Sequence, residues 1–146
     1  MLLNFTKLKS KYSMKINAII HVGAHYGEEL AQYEKNEIKK VFAFEPLEVN
    51  LKILRQNASK LNSEIIIYPY GIGDKNEIQE MFISSNNAES SSFLKPKDHL
   101  IHHPDINFKK GPRVSIRKLD DFNLDANFLN IDVQGYELQV LLGASR

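Results

Sequence analysis

Hydrophobic positions along the chain fall into short β-branched runs, separated by stretches in which apolar residues recur every three or four positions. Ile16–Val22 is the first run and reads as a buried strand. Gly23 to Gly27 then turns the chain. Glu28 to about Glu37 reads as a helix, with Leu30, Tyr33 and Ile38 on one side and acidic residues in the first turn, which suits the helix dipole. Val41–Phe44 is a second strand, closed by Glu45-Pro46, and Pro46 suits the first position of the next helix. Leu47, Leu51, Leu54, Ala58 and Leu61 recur at helical spacing. Glu64–Tyr68, rich in isoleucine, is a third strand. This β-α-β-α-β order predicts a parallel sheet with right-handed crossovers.

The pattern changes at Tyr70-Gly71-Ile72-Gly73-Asp74, which reads as a turn. Glu77–Ile83 alternates like an exposed strand, and Arg113–Leu119 reads as its antiparallel partner, replacing a crossover helix. Ser84–Ser92 is a Ser/Asn-rich loop. Phe93–Gly111 reads as irregular, with Pro96, Pro104 and Pro112 as punctuation. The whole stretch from Ser84 to Gly111 is expected to cover a pocket. Phe128–Val133 is a further buried strand ending at Asp132, which gives a sheet of order 3-2-1-4 in the buried strands. Gln134-Gly135 turns, and Tyr136–Leu142 starts a helix expected to face the sheet with Leu138, Leu141 and Leu142. Residues 1–15 read as a short helix or loose basic arm, and residues 16–146 as one domain without repeats.

Composition narrows the partners more than the fold. The 146 residues suffice for one core, and 42% apolar with 25% charged residues is ordinary for a globular chain. A net charge of +1 gives no global attraction to nucleic acid or anionic membrane. No cysteine is present, which excludes disulfides, thiolate metal sites and cysteine nucleophiles. Lys7, Lys9 and Lys11 break up the first apolar residues, so no secretory signal is expected. No run approaches a membrane span, and a cytoplasmic location is the expectation. The sequons at Asn4 and Asn57 read as chance matches.

Chemistry concentrates at the strand ends. A dinucleotide fingerprint would put glycines at positions 23, 25 and 28, where this chain has Gly23, His25 and Glu28. His25 obstructs a pyrophosphate and Glu28 repels it. That argues against an NAD-type oxidoreductase and fits a cationic ligand without phosphate, such as S-adenosylmethionine. Glu45, at the end of the second strand, is placed to accept both ribose hydroxyls, and it also suits a helix N-terminus. Asp132 ends the strand expected beside the first, across the switch point where ligands bind. Glu137 follows within the first helical turn. His99, His102 and His103 share helical spacing but lie in a proline-punctuated loop, so a solvated loop or a substrate-facing lid is preferred to a metal site. Ser90–Ser92 lacks a nucleophile-elbow setting.

In order along the chain, VGAHYGEE, FAFEPLEVN, LKILRQN, YPYGIGD, KLDDF and FLNIDVQGYELQVLLGA resemble the FkbM family of S-adenosylmethionine-dependent methyltransferases from about Ile19 to Ala144. The resemblance implies a Rossmann-like class I methyltransferase fold and methyl transfer, most often to a hydroxyl oxygen. It implies that Gly23, Ala24, His25 and Gly27 cradle the methionine end of the cofactor. Glu45 would hold the ribose with Pro46 beside it, and Gly71 and Ile72 would lie near the adenine. Asp132 would lie beside the methyl group, with Glu137 near it. Asp132 or a nearby histidine would take the acceptor's proton. Against the family pattern, His21 stands for an aspartate, His25 for an asparagine, Asn130 for a lysine and Gln134 for a glutamate. Family members continue into a fifth strand, so the domain reads as incomplete at its C-terminus. An open sheet edge would then seek a partner or a second copy. The acceptor is expected to be a small molecule, sugar or glycan, and a non-catalytic binding module is the alternative.

Overall fold

The computed structural model describes residues 4–84, Phe93 and residues 108–146. The helix-spaced histidines and Ser90–Ser92 lie outside the described residues. Four short runs form a parallel sheet: β1 (Ile19–Val22), β2 (Lys40–Phe44), β3 (Glu64–Tyr68) and β7 (Phe128–Ile131), in the spatial order β3-β2-β1-β7. The predicted order holds, with β7 as the fourth buried run. In register, Val22 stands beside Phe44 on one side and Ile131 on the other, so the three strands end level. A second sheet, ordered β4-β6-β5, is built from β4 (Gly71–Ile72), β5 (Glu77–Ser84) and β6 (Phe108–Arg117). The fold is therefore α/β and Rossmann-like, with an inserted antiparallel pair.

Strand alternation sorts the side chains into two layers. Ile19, Val41, Ala43, Ile65 and Ile67 pack toward α2 (Leu30–Lys35) and α3 (Glu48–Ala58). Helix α1 (Phe5–Lys11) joins that layer through Phe5, which is buried edge-on against Tyr33 and Phe128. Val22, Phe42, Phe44 and Ile66 pack on the opposite face, toward Val140 of α4 (Glu137–Leu142) and a short 3-10 turn at Leu119–Phe122. There Phe44, Tyr68 and Phe122 form a compact aromatic set with ring centroids 4.7–5.0 Å apart. A third cluster, including Met81, Phe93, Ile116 and Tyr136, fills the space between the small sheet and the C-terminal helix.

Several expectations are corrected. The helix after Gly27 is shorter than predicted, starting at Leu30. Pro46 precedes rather than opens α3, because Leu47 adopts the extended N-cap conformation and Glu48 is the first helical residue. Tyr70–Asp74 is not all turn, since Gly71 and Ile72 pair in parallel with Ile116 and Arg117. Strand β6 begins at Phe108 rather than Arg113, so the last part of the predicted irregular stretch is strand. It passes through Gly111-Pro112 at a register shift opposite Met81. Proline has no N–H to donate and is tolerated there. Strand β7 is half-buried, because it has a sheet neighbour on one side only among the described residues. Helix α4 is rotated from its expected phase: Val140 is buried, while Leu138, Leu141 and Leu142 are 62%, 53% and 59% exposed.

Candidate cofactor-binding and catalytic site

A cavity of about 420 Å³ opens at the C-terminal ends of β1, β2 and β7. Parallel strands ending level leave their last residues and the adjoining turns around one hollow, where α/β sheets bind ligands. The turn after β1 forms the floor. Gly23 and Ala24 both donate N–H to the Phe44 carbonyl at 3.0 Å, and Asp132 donates to Val22 O at 2.9 Å, extending the ladders past the strand ends. Gly23 has φ +84°, and a Cβ there would lie 2.0 Å from the Asp132 carbonyl oxygen. Only glycine lets the first and last strands approach this closely.

Two non-glycine residues at the cavity, His25 (φ +46°) and Gln134 (φ +52°), also hold left-handed conformations. Such backbone is costly for ordinary residues and persists when its surroundings fix it. For His25 the fixing group is Glu45, whose Oε2 accepts the His25 backbone N–H at 3.0 Å. Glu45 Oε1 accepts from Leu47 N (2.9 Å) and Asn50 Nδ2 (3.2 Å). A carboxylate only 4% exposed thus ties the β1 turn to the start of α3. Burial raises its pKa, and the three donors offset that rise only in part.

Asp132 is differently placed. Its side chain reaches solvent within the cavity and, among the described residues, receives one side-chain hydrogen bond, from Gln134 Nε2 at 3.1 Å. Partial desolvation by the surrounding walls raises its pKa, and the charge of Glu137 raises it further. Glu29, on the cavity wall, is raised by burial, with Glu28 and Asp132 adding repulsion. Glu28 Oε1 lies 2.9 Å from His25 Nδ1.

Beneath the floor lies a buried polar chain. His21 and Asn130 are register partners on β1 and β7. Asn130 Nδ2 donates to the Tyr33 hydroxyl at 2.8 Å, and that hydroxyl faces His21 Nδ1 at 3.4 Å. Complete burial lowers the His21 pKa to about 4, so the ring is neutral, and its Nδ1 pairs with the Tyr33 hydroxyl.

Of the residues singled out from the sequence, Gly23, His25, Glu45, Pro46, Gly71, Ile72 and Asp132 line the cavity. Ala24 does not; it is wholly buried in the core below. Gly27 (φ +81°) packs where a Cβ would meet Leu30 and Leu54 at 2.7 Å, so its part is to shape the turn. Glu137 sits outside the lining, with Oε1 accepting the Gly135 N–H at 3.1 Å, and reaches Asp132 through its charge. Sequence reasoning passed over Glu29, Asn50, Met81 and Phe93 as cavity residues. Asn50 carried a usable signal: with Leu47, Leu51 and Leu54 it is a polar residue inside the apolar stripe of α3.

The family model of the Methyltransferase FkbM domain matches residues 21–146. The chain belongs to the FkbM methyltransferase family. The match spans the glycine turn, both strand-end carboxylates and the inserted sheet, so the whole FkbM cavity falls within it. No curated protein and no solved structure matches the chain. Among the described residues, no cluster of histidine, aspartate and glutamate is arranged to hold a metal ion. No described helix is long and apolar enough to cross a membrane.

Proposed function

We propose that the chain binds S-adenosylmethionine in this cavity and transfers its methyl group to a hydroxyl oxygen of a small molecule, sugar or glycan. The observation that carries the reading is the two-sided lining. Toward β1 and β7 the wall is acidic, with Glu28, Glu29 and Asp132. Toward the β2–α3 link and the small sheet it is apolar apart from Glu45, with Pro46, Leu47, Ile72, Met81 and Phe93. A ligand with a cationic amino-acid end and a flat aromatic end matches both sides, whereas a pyrophosphate would meet three carboxylates. The residues therefore suit this cofactor, which supplies, when bound, a methyl carbon activated by a positively charged sulfur.

The protein's own work is positioning and proton handling. Glu28 and Glu29 would offset the cationic end, and the Gly23 turn would bring backbone close to it. Glu45 fixes the turn and would present its remaining lone pair to the ribose. Asp132, half-desolvated and beside Glu137, is held more basic than an ordinary aspartate. It would accept the acceptor hydroxyl's proton as the new C–O bond forms and the C–S bond breaks. Desolvation contributes most to that basicity, and the charge of Glu137 adds to it. Transfer to oxygen rests on the family likeness together with this available base.

Calorimetry with S-adenosylhomocysteine is the test. Binding by the folded protein is expected, and Asp132→Asn should retain it while lowering methyl transfer about 10²–10³-fold. A folded protein that binds neither cofactor nor product would overturn the reading.

A further inference from the structure

One residue of the apolar wall is held from outside the cavity. Phe93 lies between β5 and β6 and belongs to neither strand, yet it is buried and lines the cavity. Gly71, Tyr136 and Gln79 set its place. The Phe93 ring fits against Gly71, where a Cβ would come within 2.7 Å of Phe93 Cζ. The same ring packs on Tyr136, with centroids 5.1 Å apart and planes inclined by 55°. The Phe93 carbonyl accepts from Gln79 Nε2 at 3.4 Å. A carbonyl only accepts, so the Gln79 amide nitrogen is turned toward Phe93. Its Oε1 is thereby left to accept the Tyr136 hydroxyl, at 3.3 Å.

Tyr136 therefore grips Phe93 twice, directly through its ring and indirectly through Gln79. It is itself firmly seated. It is 5% exposed, its backbone N–H donates to Val133 O at 3.4 Å, and a Cβ on Gly73 would lie 3.2 Å from its Cε1. Gln79 is fixed on β5, in register with Val114 of β6. Neither Tyr136 nor Gln79 lines the cavity, so their effect on a ligand passes through Phe93. We propose that Tyr136 is a positioning residue: with Gln79 it holds Phe93 where the ring meets the flat aromatic end of the ligand, and so sets how much that end adds to binding. The inference rests on the S-adenosylmethionine reading above. It adds a route by which the turn that follows Asp132 also shapes the apolar wall.

The experiment compares two ligands, S-adenosylhomocysteine and S-ribosylhomocysteine, which is the same molecule without its purine. The first is titrated calorimetrically and the second is read by displacement, on the wild type, Tyr136→Phe, Gln79→Leu and the double variant. The wild type should prefer the purine-bearing ligand about tenfold or more. Each single variant should bind S-adenosylhomocysteine about 3–10-fold more weakly and S-ribosylhomocysteine unchanged. The double variant should lose no more than the single ones, because both act through one clamp. Equal weakening of both ligands would mean a merely structural role and overturn the proposal, as would no weakening of either, or additive losses. A folded wild type that binds neither ligand overturns the cofactor reading, and the Tyr136 role falls with it. If the variants do not fold or the ribosyl ligand is too weak to read, the Phe93 ring resonances of the wild type decide, assigned by their absence in Phe93→Leu. A purine over the ring should shift them on adding S-adenosylhomocysteine, and unmoved resonances refute the contact.

Discussion

Two carboxylates end the two strands that flank β1, and they have opposite fates. Glu45, after β2, is sealed from solvent and holds three donors. Asp132, after β7, faces the cavity with a single side-chain donor among the described residues and a like charge for a neighbour. Topologically the positions are equivalent. The difference lies in the path the backbone takes on leaving each strand. After Glu45 comes Pro46 and an extended N-cap, which fold α3 back so that Leu47 and Asn50 point their N–H groups at the carboxylate. After Asp132 comes a left-handed Gln134-Gly135 turn that carries the chain away and leaves the carboxylate open. One acid is tied into the turns around it, and the other is left open to the cavity.

Substitutions that act on folding can break this contrast. The largest effect is expected at Gly23, the residue that lets the two strand ends share one floor. Gly23→Ala combines a left-handed alanine with a backbone collision and should cost about 4 kcal/mol in denaturant unfolding. An effect below about 1 kcal/mol would mean that the β1 and β7 ends separate easily.

The floor itself should be acid-sensitive. His21 has a folded pKa of about 4 against an ordinary 6.5. Below 6.5 the unfolded chain gains a proton that the folded chain refuses, so this contribution to stability falls as pH drops from 6.5 toward 4, then levels. The loss is on the order of 3 kcal/mol. Burial raises the pKa of Glu45, Glu29 and Asp132, which works in the opposite direction as pH falls. The His21 share is therefore read as the difference between wild type and His21→Gln across that range. Parallel stability curves for the two proteins would contradict a buried neutral histidine.

Glu45→Gln sharpens the scaffold side. It replaces an acceptor with an amide whose NH₂ must face one of the donors now bound, and should destabilise by about 2 kcal/mol in thermal or chemical unfolding. The smallest effect belongs to Asp132→Asn. Removing a half-desolvated charge beside Glu137 should leave unfolding free energy within about 0.5 kcal/mol of wild type. If Asp132→Asn destabilises as much as Glu45→Gln, the division into scaffold and available acid is wrong.

The strands were legible because β-branched runs such as Glu64–Tyr68 leave few alternatives, and their order followed from the doubly wound pattern with its switch point beside the first strand. Helix phase was less legible in short elements. In α4, six residues long, three leucines suggested the buried face, but Tyr136 and Val140 occupy the interior and turn the leucines outward. The register shift at Gly111-Pro112 was invisible because a proline reads as a breaker until the opposite strand shows what it faces. Of the residues announced by the glycine turn and the strand-end acids, Gly23, His25, Glu45 and Asp132 line the cavity, and Ala24 and Gly27 do not. Asn50, Met81 and Phe93 enter it from a helix face, a second sheet and a distant segment, which only the fold brings together.

The pairing of His21 with Asn130 also has a consequence in time. Strands β1, β2 and β3 are near neighbours in sequence, and their crossovers close short loops. The β1–β7 ladder closes a loop of more than a hundred residues, reinforced at its base by Asn127 accepting the Asn17 N–H. Contacts this distant form late and slow the search for the native state. During synthesis the first three strands leave the ribosome long before β7. Until β7 docks, the nascent chain has Glu45 in place, while Asp132 and one wall of the cavity are still to arrive. The cavity is thus completed only when this long-range ladder forms, and a ligand that needs both walls would recognise the chain only after β7 has docked.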